Sequence, residues 1–494
     1  MKVNHPAQRV LIIVGNDLVG DSRVQKIISS SVLTQKQTWV LCRKSKDGSV
    51  PSGLEGANFL PIEFQADSRA LHVGFGFKHD VIRIVQRLME SIRVVLSSAK
   101  VQVKYRSRRG MYHSKRMIGR AIYSLPLPKP LRTLRSRILG PRRKKIEIAK
   151  ANRLSALKHG ALTSESNPEI RYPDYSRYLD RMFMWFVSPA IKCKPDLIHA
   201  NDADTLRIAV TVKEYWAKRK HDVAVVYDAH EYTAGVHRPN PTWKPAMLNQ
   251  ETNYINRVDA VVTVSDEIAD LLLEEYKLTK PPTVVLNAPL LSNSGAKLEI
   301  DSLRKSLALA NDVPLFVYVG VSAHARGIHT VVESLQHFPE AHLAVLTRTN
   351  SYVKSYIELA RDIGVGDRLH VQGYVPQHQV SPFIADATAG VNPVLHNPNH
   401  EMSCFTKFYE YLHAHLPIVT SDVRTMAKET KERGIGTVFI AEDSLDCARA
   451  MKELCKDINT YRAAITDELI SEWSWEVQAN KLNALYSQLT TEAN

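Results

Sequence analysis

Two tandem doubly wound α/β domains are the fold the sequence predicts, and three observations predict it. Short apolar runs recur at helical spacings, the series starts again after residue 312, and 494 residues suit two or three domains. Hydrophobic residues at 44% and charged residues at 23% supply full cores and exclude a disordered chain.

The first strand is Val10 to Val14, an apolar run suited to burial on both faces. A turn, Gly15 to Ser22, leads to Val24, Ile27, Ile28 and Val32 at helical spacing, and Trp39 to Cys42 supplies the second strand. Further strands are expected at Asp196–His199, Val223–Tyr227, Ala260–Val264 and Val284–Leu286. These elements predict a Rossmann-like domain over residues 1–288, interrupted by an insert at about 66–190. Residues 289–474 repeat the pattern with strands at Leu315–Val319, His342–Leu346, Leu369–Val371, Gly390–Val394, Ile418–Ser421 and Thr437–Ile440. Residues 475–494 read as a closing helix that returns to the first domain, with Trp473 and Trp475 as packing anchors.

Charge is distributed unevenly. The net value is +14, yet residues 100–160 alone hold 19 Lys and Arg against the single acid Glu147. A mildly acidic body therefore carries one basic segment, which predicts an anionic partner. Within it, apolar residues alternate with basic ones every three or four positions, as in Leu131 to Leu139, the pattern of basic amphipathic helices. Only Tyr105, Tyr112 and Tyr123 offer base stacking there, which argues against nucleic acid and for a membrane surface. No run reaches the roughly eighteen apolar residues of a membrane-spanning helix, and Val10–Val14 is too short for a signal-peptide core. Five cysteines, scattered and without a CxxC pair, predict neither disulfides nor a structural metal, hence a reducing compartment.

Two motifs carry chemistry. Gly320 to Gly327 follows a predicted strand, where a glycine admits close backbone approach and Arg326 offers a guanidinium to phosphate oxygens. In Ser403-Cys-Phe-Thr406-Lys407-Phe-Tyr-Glu410, Lys407 and Glu410 lie three apart on one helix face. The ammonium suits a diphosphate, the carboxylate a ribose diol, and the helix N-terminal amides add to the anion site. His230-Glu231 begins like a zinc HExxH, but Ala234 stands where the second histidine belongs. Asp202-Ala-Asp204 looks like a metal-binding DxD and is expected instead to cap the following helix.

At these residues the chain resembles the retaining, nucleotide-sugar-dependent glycosyltransferases of the GT-B fold, family 4 type. The resemblance rests on Gly15 to Arg23, Pro195 to Asp202, Tyr227-Asp-Ala-His230-Glu231, Val258 to Ser265, Gly320 with Arg326-Gly327, Gly373-Tyr-Val, Asn392-Pro393 and Lys407 to Leu412 followed by Leu416-Pro-Ile-Val. It covers most of both domains and excludes the basic insert. It implies two Rossmann-like domains facing a cleft, with the donor on the C-terminal one and the acceptor on the N-terminal one. Donor contacts carry over to Gly15, Gly20, Gly320, Arg326, Ser403, Thr406, Lys407 and Glu410, and acceptor contacts to Asn201, Asp202, His230 and Glu231, with Arg326, Lys407 and His230 catalytic. The chain departs from the family at Val321, where an Arg is common, and at Met402, where the first of two paired glutamates is expected. Glu401 lies one residue out of that register and stands as a further donor candidate.

The resemblance implies sugar transfer of the hexosyl type from a UDP- or GDP-sugar to a lipid-linked or cell-surface polysaccharide acceptor. With the basic segment 100–160 it predicts a peripheral protein on the cytoplasmic face of a membrane, needing neither cofactor nor metal. Two other readings stand beside it: a polyanion or nucleic-acid binder with an inactive transferase body, and another GT-B enzyme such as a sugar epimerase or phosphorylase.

Overall fold

Each apolar run becomes a strand whose two faces are covered, as the lack of alternation requires. A computed structural model describes residues 8–45, 48–51, 53–63, 174–236, 238, 240–291 and 301–491. In the first sheet, β1 (Arg9–Ile13), β2 (Gln37–Arg43), β3 (Asn58–Ile62), β4 (Leu197–Asn201), β5 (Ala224–Ala229), β6 (Ala260–Thr263) and β7 (Thr283–Val284) pair in parallel. Their order is β3-β2-β1-β4-β5-β6-β7. The second sheet holds β8 (Leu315–Val319), β9 (His342–Leu346), β10 (Leu369–Gln372), β11 (Ala389–Asn392), β12 (Ile418–Ser421) and β13 (Gly436–Phe439). These are also parallel, in the order β10-β9-β8-β11-β12-β13. Strand order reverses beside β1 and beside β8, and in such sheets a crevice opens past the carboxyl ends of the strands at that point.

The helices that matter to the site are α1 (Ser22–Leu33), α2 (Tyr175–Lys192), α3 (Ala203–Ala217), α4 (Asp266–Tyr276), α5 (Ile328–Ser334), α6 (Pro398–Glu401), α7 (Thr406–His413), α8 (Arg424–Arg433) and α9 (Trp475–Thr491). β3 is absent from the expected strands. Its Asn-Phe-Leu-Pro-Ile sequence is not a clean apolar run, and Pro61, which lacks an N–H, is tolerated because β3 stands at the sheet edge.

Trp473 packs into the core of the second sheet and Trp475, two residues on, into that of the first. From there Ala479, Leu482, Tyr486 and Leu489 of α9 cover the sheet that contains Val10 and Ile12. The outgoing and returning chains are tied together: Trp475 N–H donates to Pro289 O at 2.7 Å, and Leu286 N–H donates to Gln478 Oε1 at 3.1 Å.

By internal contacts the chain forms two compact units. One comprises Met1–Val73, Trp185–Arg238 and Lys244–Asn494 and contains both sheets; the other comprises Gly74–Met184 and Pro239–Trp243. In the second unit the Tyr175 ring lies 5.0 Å from Tyr178 and 6.4 Å from Trp243, and Tyr175 N–H donates to Thr242 Oγ1 at 2.9 Å. The basic segment 100–160, and the predicted insert up to residue 173, lie outside the described residues. Among the described residues, no helix is long and apolar enough to cross a membrane.

Candidate functional site

Gly320 follows β8 directly, and its φ of +115° is one that side chains rarely adopt; a Cβ there would stand 3.9 Å from Lys407 Cε. Lys407 Nζ lies 3.8 Å over the Tyr318 ring, is buried, and has no hydrogen-bond partner. Arg326, closing the turn His324–Arg326, lays its guanidinium 4.2 Å over the Phe405 ring, and its Nη1 is also buried without a partner. Ser403 Oγ is a third such atom. α7 starts at Thr406 with Phe405 as N-cap and no side-chain cap, so no cap side chain takes up its first N–H groups. Burial drives the Lys407 ammonium well below the usual lysine range; Arg326 pushes the same way and Glu410 opposes.

The fold holds this cluster through Tyr411. Its hydroxyl donates to Val391 O at 3.0 Å and accepts Val319 N–H at 3.1 Å, stitching α7 to β11 and β8 on either side of the reversal. Glu410, three residues past Lys407, is buried, and burial raises its carboxyl pKa while Lys26 and Lys407 pull it down. Lys26, which the sequence reading passed over, donates to Asn287 Oδ1 at 2.9 Å and to Ala288 O; burial and Arg23 lower its pKa to about 7. Glu401 makes its contacts elsewhere. Its Oε1 is 2.5 Å from His396 Nδ1, and its Oε2 accepts Arg424 N–H, at the start of α8, at 2.9 Å.

On the first sheet, the loop after β1 runs against α3. A Cβ on Gly15 would fall 2.1 Å from Asp204 Oδ2, so only glycine lets the loop pass. Asn16 Oδ1 accepts Leu18 N–H at 2.8 Å and Asn16 Nδ2 donates to Asp21 Oδ2 at 2.7 Å, while Gly20, at φ +80°, has open space around it. Asn201 Nδ2 donates to Ile13 O at 3.0 Å, tying β4 to β1, and its Oδ1 is buried without a partner.

The helix-cap expectation for Asp202 is corrected. Asp202 occupies the N-cap position of α3, but its side chain makes no cap hydrogen bond. It adopts φ +59°, rare for a residue with a side chain. Its carboxylate, 41% exposed, lies 3.7 Å from His230 Nδ1. Asp204, pushed up to about 8 by burial, is the group that Gly15 admits. Among the described residues, no group of three or more His, Cys, Asp and Glu side chains is placed to hold a metal ion. Glu231 is half exposed, 3.7 Å from Arg238 Nη2.

Behind His230 lies a network that sequence reasoning missed. Arg23 on α1 pairs bidentately with Asp228 at 2.9 and 2.8 Å and donates to Val285 O at 2.7 Å. Asp228 Oδ2 is also 3.2 Å from His199 Nε2 and 3.3 Å from His230 Nε2. Tyr486 of α9 hydrogen-bonds His199 Nδ1 at 2.7 Å. Burial opposes charge on Asp228, but Arg23, His230 and His199 outweigh it and hold the carboxyl well below the usual range. Contacts also join the two sheets' loops: Ser265 Oγ donates to Met402 O at 2.5 Å and Tyr232 N–H to Asn399 Oδ1 at 3.2 Å.

Two parallel sheets with a glycine loop at each reversal define a protein of two Rossmann-like domains, with buried cationic atoms lacking a hydrogen-bond partner at one strand end. Two family models place it further: Glycosyltransferase Family 4 matches residues 110–288, and Glycosyl transferases group 1 matches residues 299–467. Together they span more than half of the chain, which belongs to the family 4 type glycosyltransferases of the GT-B fold. Among solved structures, the chain is similar to a sucrose-phosphate synthase from Thermosynechococcus elongatus, at TM-score 0.64 and 13% identity over 98% of this chain and 100% of that one. Anabaena HepE in complex with UDP and glucose gives 0.58 and 12% over 97% and 99%. The lipopolysaccharide outer core galactosyltransferase WaaB, in its apo form, gives 0.52 and 11% over 97% and 100%. At these identities the likeness concerns the fold. No curated protein matches the chain at the level of sequence.

Proposed function

We propose that this glycosyltransferase takes a sugar from a UDP- or GDP-sugar and delivers it, with retention, to a lipid-linked or surface-polysaccharide acceptor at the inner face of a membrane. One observation carries the donor half. Arg326 Nη1, Lys407 Nζ and Ser403 Oγ are buried beside an uncapped helix start and have no hydrogen-bond partner. Buried polar groups in folded proteins are nearly always paired. Three unpaired donors in one place, two of them cationic, ask for an anionic ligand rich in oxygens, and a diphosphate is one. Glu410 then faces the ribose, one helical turn further on.

The same groups serve the chemistry. Breaking the bond between sugar and diphosphate leaves charge on the departing oxygen, which preorganised cations and amides stabilise without reorganising. In attack from the face that the diphosphate leaves, the acceptor hydroxyl loses its proton to the departing phosphate oxygen, so no protein nucleophile takes part and no metal is required. Asn201, Asp202, His230 and Glu231 stand on the acceptor side. The nucleotide and glucose in the HepE structure support the donor reading, and the lipopolysaccharide specificity in WaaB's name supports the acceptor class. The basic segment 100–160 supports the membrane, since each Lys or Arg near an anionic surface contributes about 1 kcal/mol.

Thermal shifts with UDP, GDP and ADP test the donor. UDP or GDP is expected to raise the melting temperature of the wild type and to lose that effect in Arg326→Ala and Glu410→Ala. A wild-type protein indifferent to all three nucleotides overturns the reading. For the membrane half, the protein should sediment with anionic vesicles and come off in high salt; release by nuclease from a lysate pellet would assign the basic segment to nucleic acid instead.

A further inference from the structure

Two histidines share one oxygen of Asp228, and their other ring nitrogens meet opposite surroundings. Nδ1 of His199 faces the hydroxyl of Tyr486 at 2.7 Å; Nδ1 of His230 faces the carboxylate of Asp202 at 3.7 Å. For His199, the neutral tautomer with its proton on Nε2 leaves nothing unpaired, because Nε2–H donates to Asp228 and Tyr486 O–H donates to Nδ1. For His230, either neutral tautomer aims a ring lone pair at a carboxylate. Only the doubly protonated ring sets a positive charge beside both carboxylates, 3.7 Å from Asp202 and 3.3 Å from Asp228, without a hydrogen bond at Nε2.

We infer that Asp228 holds these two histidines in opposite charge states, His199 neutral and His230 as the imidazolium, so that Asp228, His199 and Tyr486 are positioning residues for the acceptor side of the transferase. This rests on the functional reading above and deepens it. A His230 charged at neutral pH does not take a proton from the acceptor; it sits beside the partly exposed Asp202 carboxylate and leaves the departing phosphate as the base. The groups around the pair are Arg23 from α1, His199 and Asp202 from β4 and its end, Asp204 from α3, Asp228 from β5 and Tyr486 from α9. The directions agree with the geometry. Burial lowers the His199 pKa, whereas at His230 Asp202 and Asp228 overcome burial and raise it to about 9. Environments that drive two like groups apart assign their roles.

The test is a pH titration by NMR of the full chain with ring-labelled histidine, the two signals being assigned through His199→Gln and His230→Gln. His230 should remain protonated well past the ordinary 6.5 and lose its proton near 9, while His199 shows no protonation step across that range. Asp228→Asn should bring the His230 step down to the ordinary value or below and move the basic limb of the kcat/KM profile with it; Tyr486→Phe should leave His230 where it is. A wild-type His230 that titrates at its ordinary value, or one unmoved by Asp228→Asn, overturns the inference. Should Asp228→Asn fail to fold, Asp202→Asn takes its place, and a His230 step that stays put in that variant is equally fatal. The titration needs no nucleotide, so its failure and a failure of the UDP and GDP shifts are separate results.

Discussion

The two sheets meet the problem of buried charge in opposite ways. At the end of the first, the buried charges face one another within the chain: Arg23 pairs with Asp228, His199 bonds Asp228 and Tyr486, and His230 lies 3.3 Å from Asp228, although His230 Nε2 itself makes no hydrogen bond. At the end of the second, Lys407 and Arg326 are close enough to depress the Lys407 pKa and neither the Lys407 ammonium nor Arg326 Nη1 has a hydrogen-bond partner. In the first arrangement opposite charges within the chain balance one another. In the second, the partnerless groups carry a desolvation cost that the diphosphate proposed above would remove. On the reading proposed above, a transferase that must grip and then release a nucleotide gains from those partnerless groups, because they would be there to recruit the next donor once the product leaves.

Deleting one member of each arrangement should therefore give opposite signs. Arg23→Ala takes from the buried Asp228 carboxylate its bidentate partner, leaving it to the two histidines, a defect that costs up to about 3–5 kcal/mol, and is expected to lower the denaturation midpoint further than the loss of Lys407 or Ser403. Lys407→Met removes a buried ammonium with no hydrogen-bond partner. Without nucleotide it should leave the protein as stable as wild type or more so, by up to about 1–3 kcal/mol, the desolvation cost of an unsatisfied group. Its nucleotide affinity should fall by about 1.5–3 kcal/mol, roughly 10- to 150-fold, the worth of a charge-assisted hydrogen bond. Denaturation curves with calorimetric binding decide both, and a Lys407→Met protein that is destabilised without nucleotide would erase the contrast between the sheets.

Proton linkage sharpens the same point. Lys407 is held well below its ordinary 10.5 by burial, and a diphosphate would bring it back up. Binding then takes up a proton, so nucleotide affinity should weaken as pH rises between the depressed and the ordinary value. Calorimetry in buffers of different ionisation enthalpy reads that uptake directly, and Lys407→Met should abolish it.

The second-sheet cluster was legible in the sequence and the first-sheet network was not, for a physical reason. Lys407 and Glu410 lie on one helix face, and Arg326 follows a strand and a glycine, so local spacing marks them out as a cluster. Arg23 and Asp228 are 205 residues apart and meet only because β1 and β5 flank β4. One signal was present: Arg23 and Lys26 sit beside the apolar positions Val24, Ile27 and Ile28 of α1, where a cation survives burial only with a partner. Asp202 misled for the opposite reason, since a residue in an N-cap position is expected to cap, and only the folded chain brings its carboxylate against His230. Strand positions were legible wherever the run was continuously apolar; β3, an edge strand interrupted by Pro61, was the exception.

Ser403 offers the smallest and most local test of the difference between the sheets. Its Oγ is buried with no partner, yet it is neutral, so it should contribute one ordinary hydrogen bond to the ligand and nothing to charge balance. Ser403→Ala is expected to weaken nucleotide binding by about 0.5–1.5 kcal/mol, up to roughly tenfold, while proton uptake on binding stays as in wild type because Lys407 is untouched. Without nucleotide the variant should match or slightly exceed wild-type stability, since a buried hydroxyl with no partner has been removed. Unchanged affinity would place Ser403 outside the anion site and leave Arg326, Lys407 and the α7 amides to hold the diphosphate alone. A lost proton uptake would instead mean that the hydroxyl helps set the charge on Lys407, and that the cluster, like the network around Asp228, works as one coupled unit.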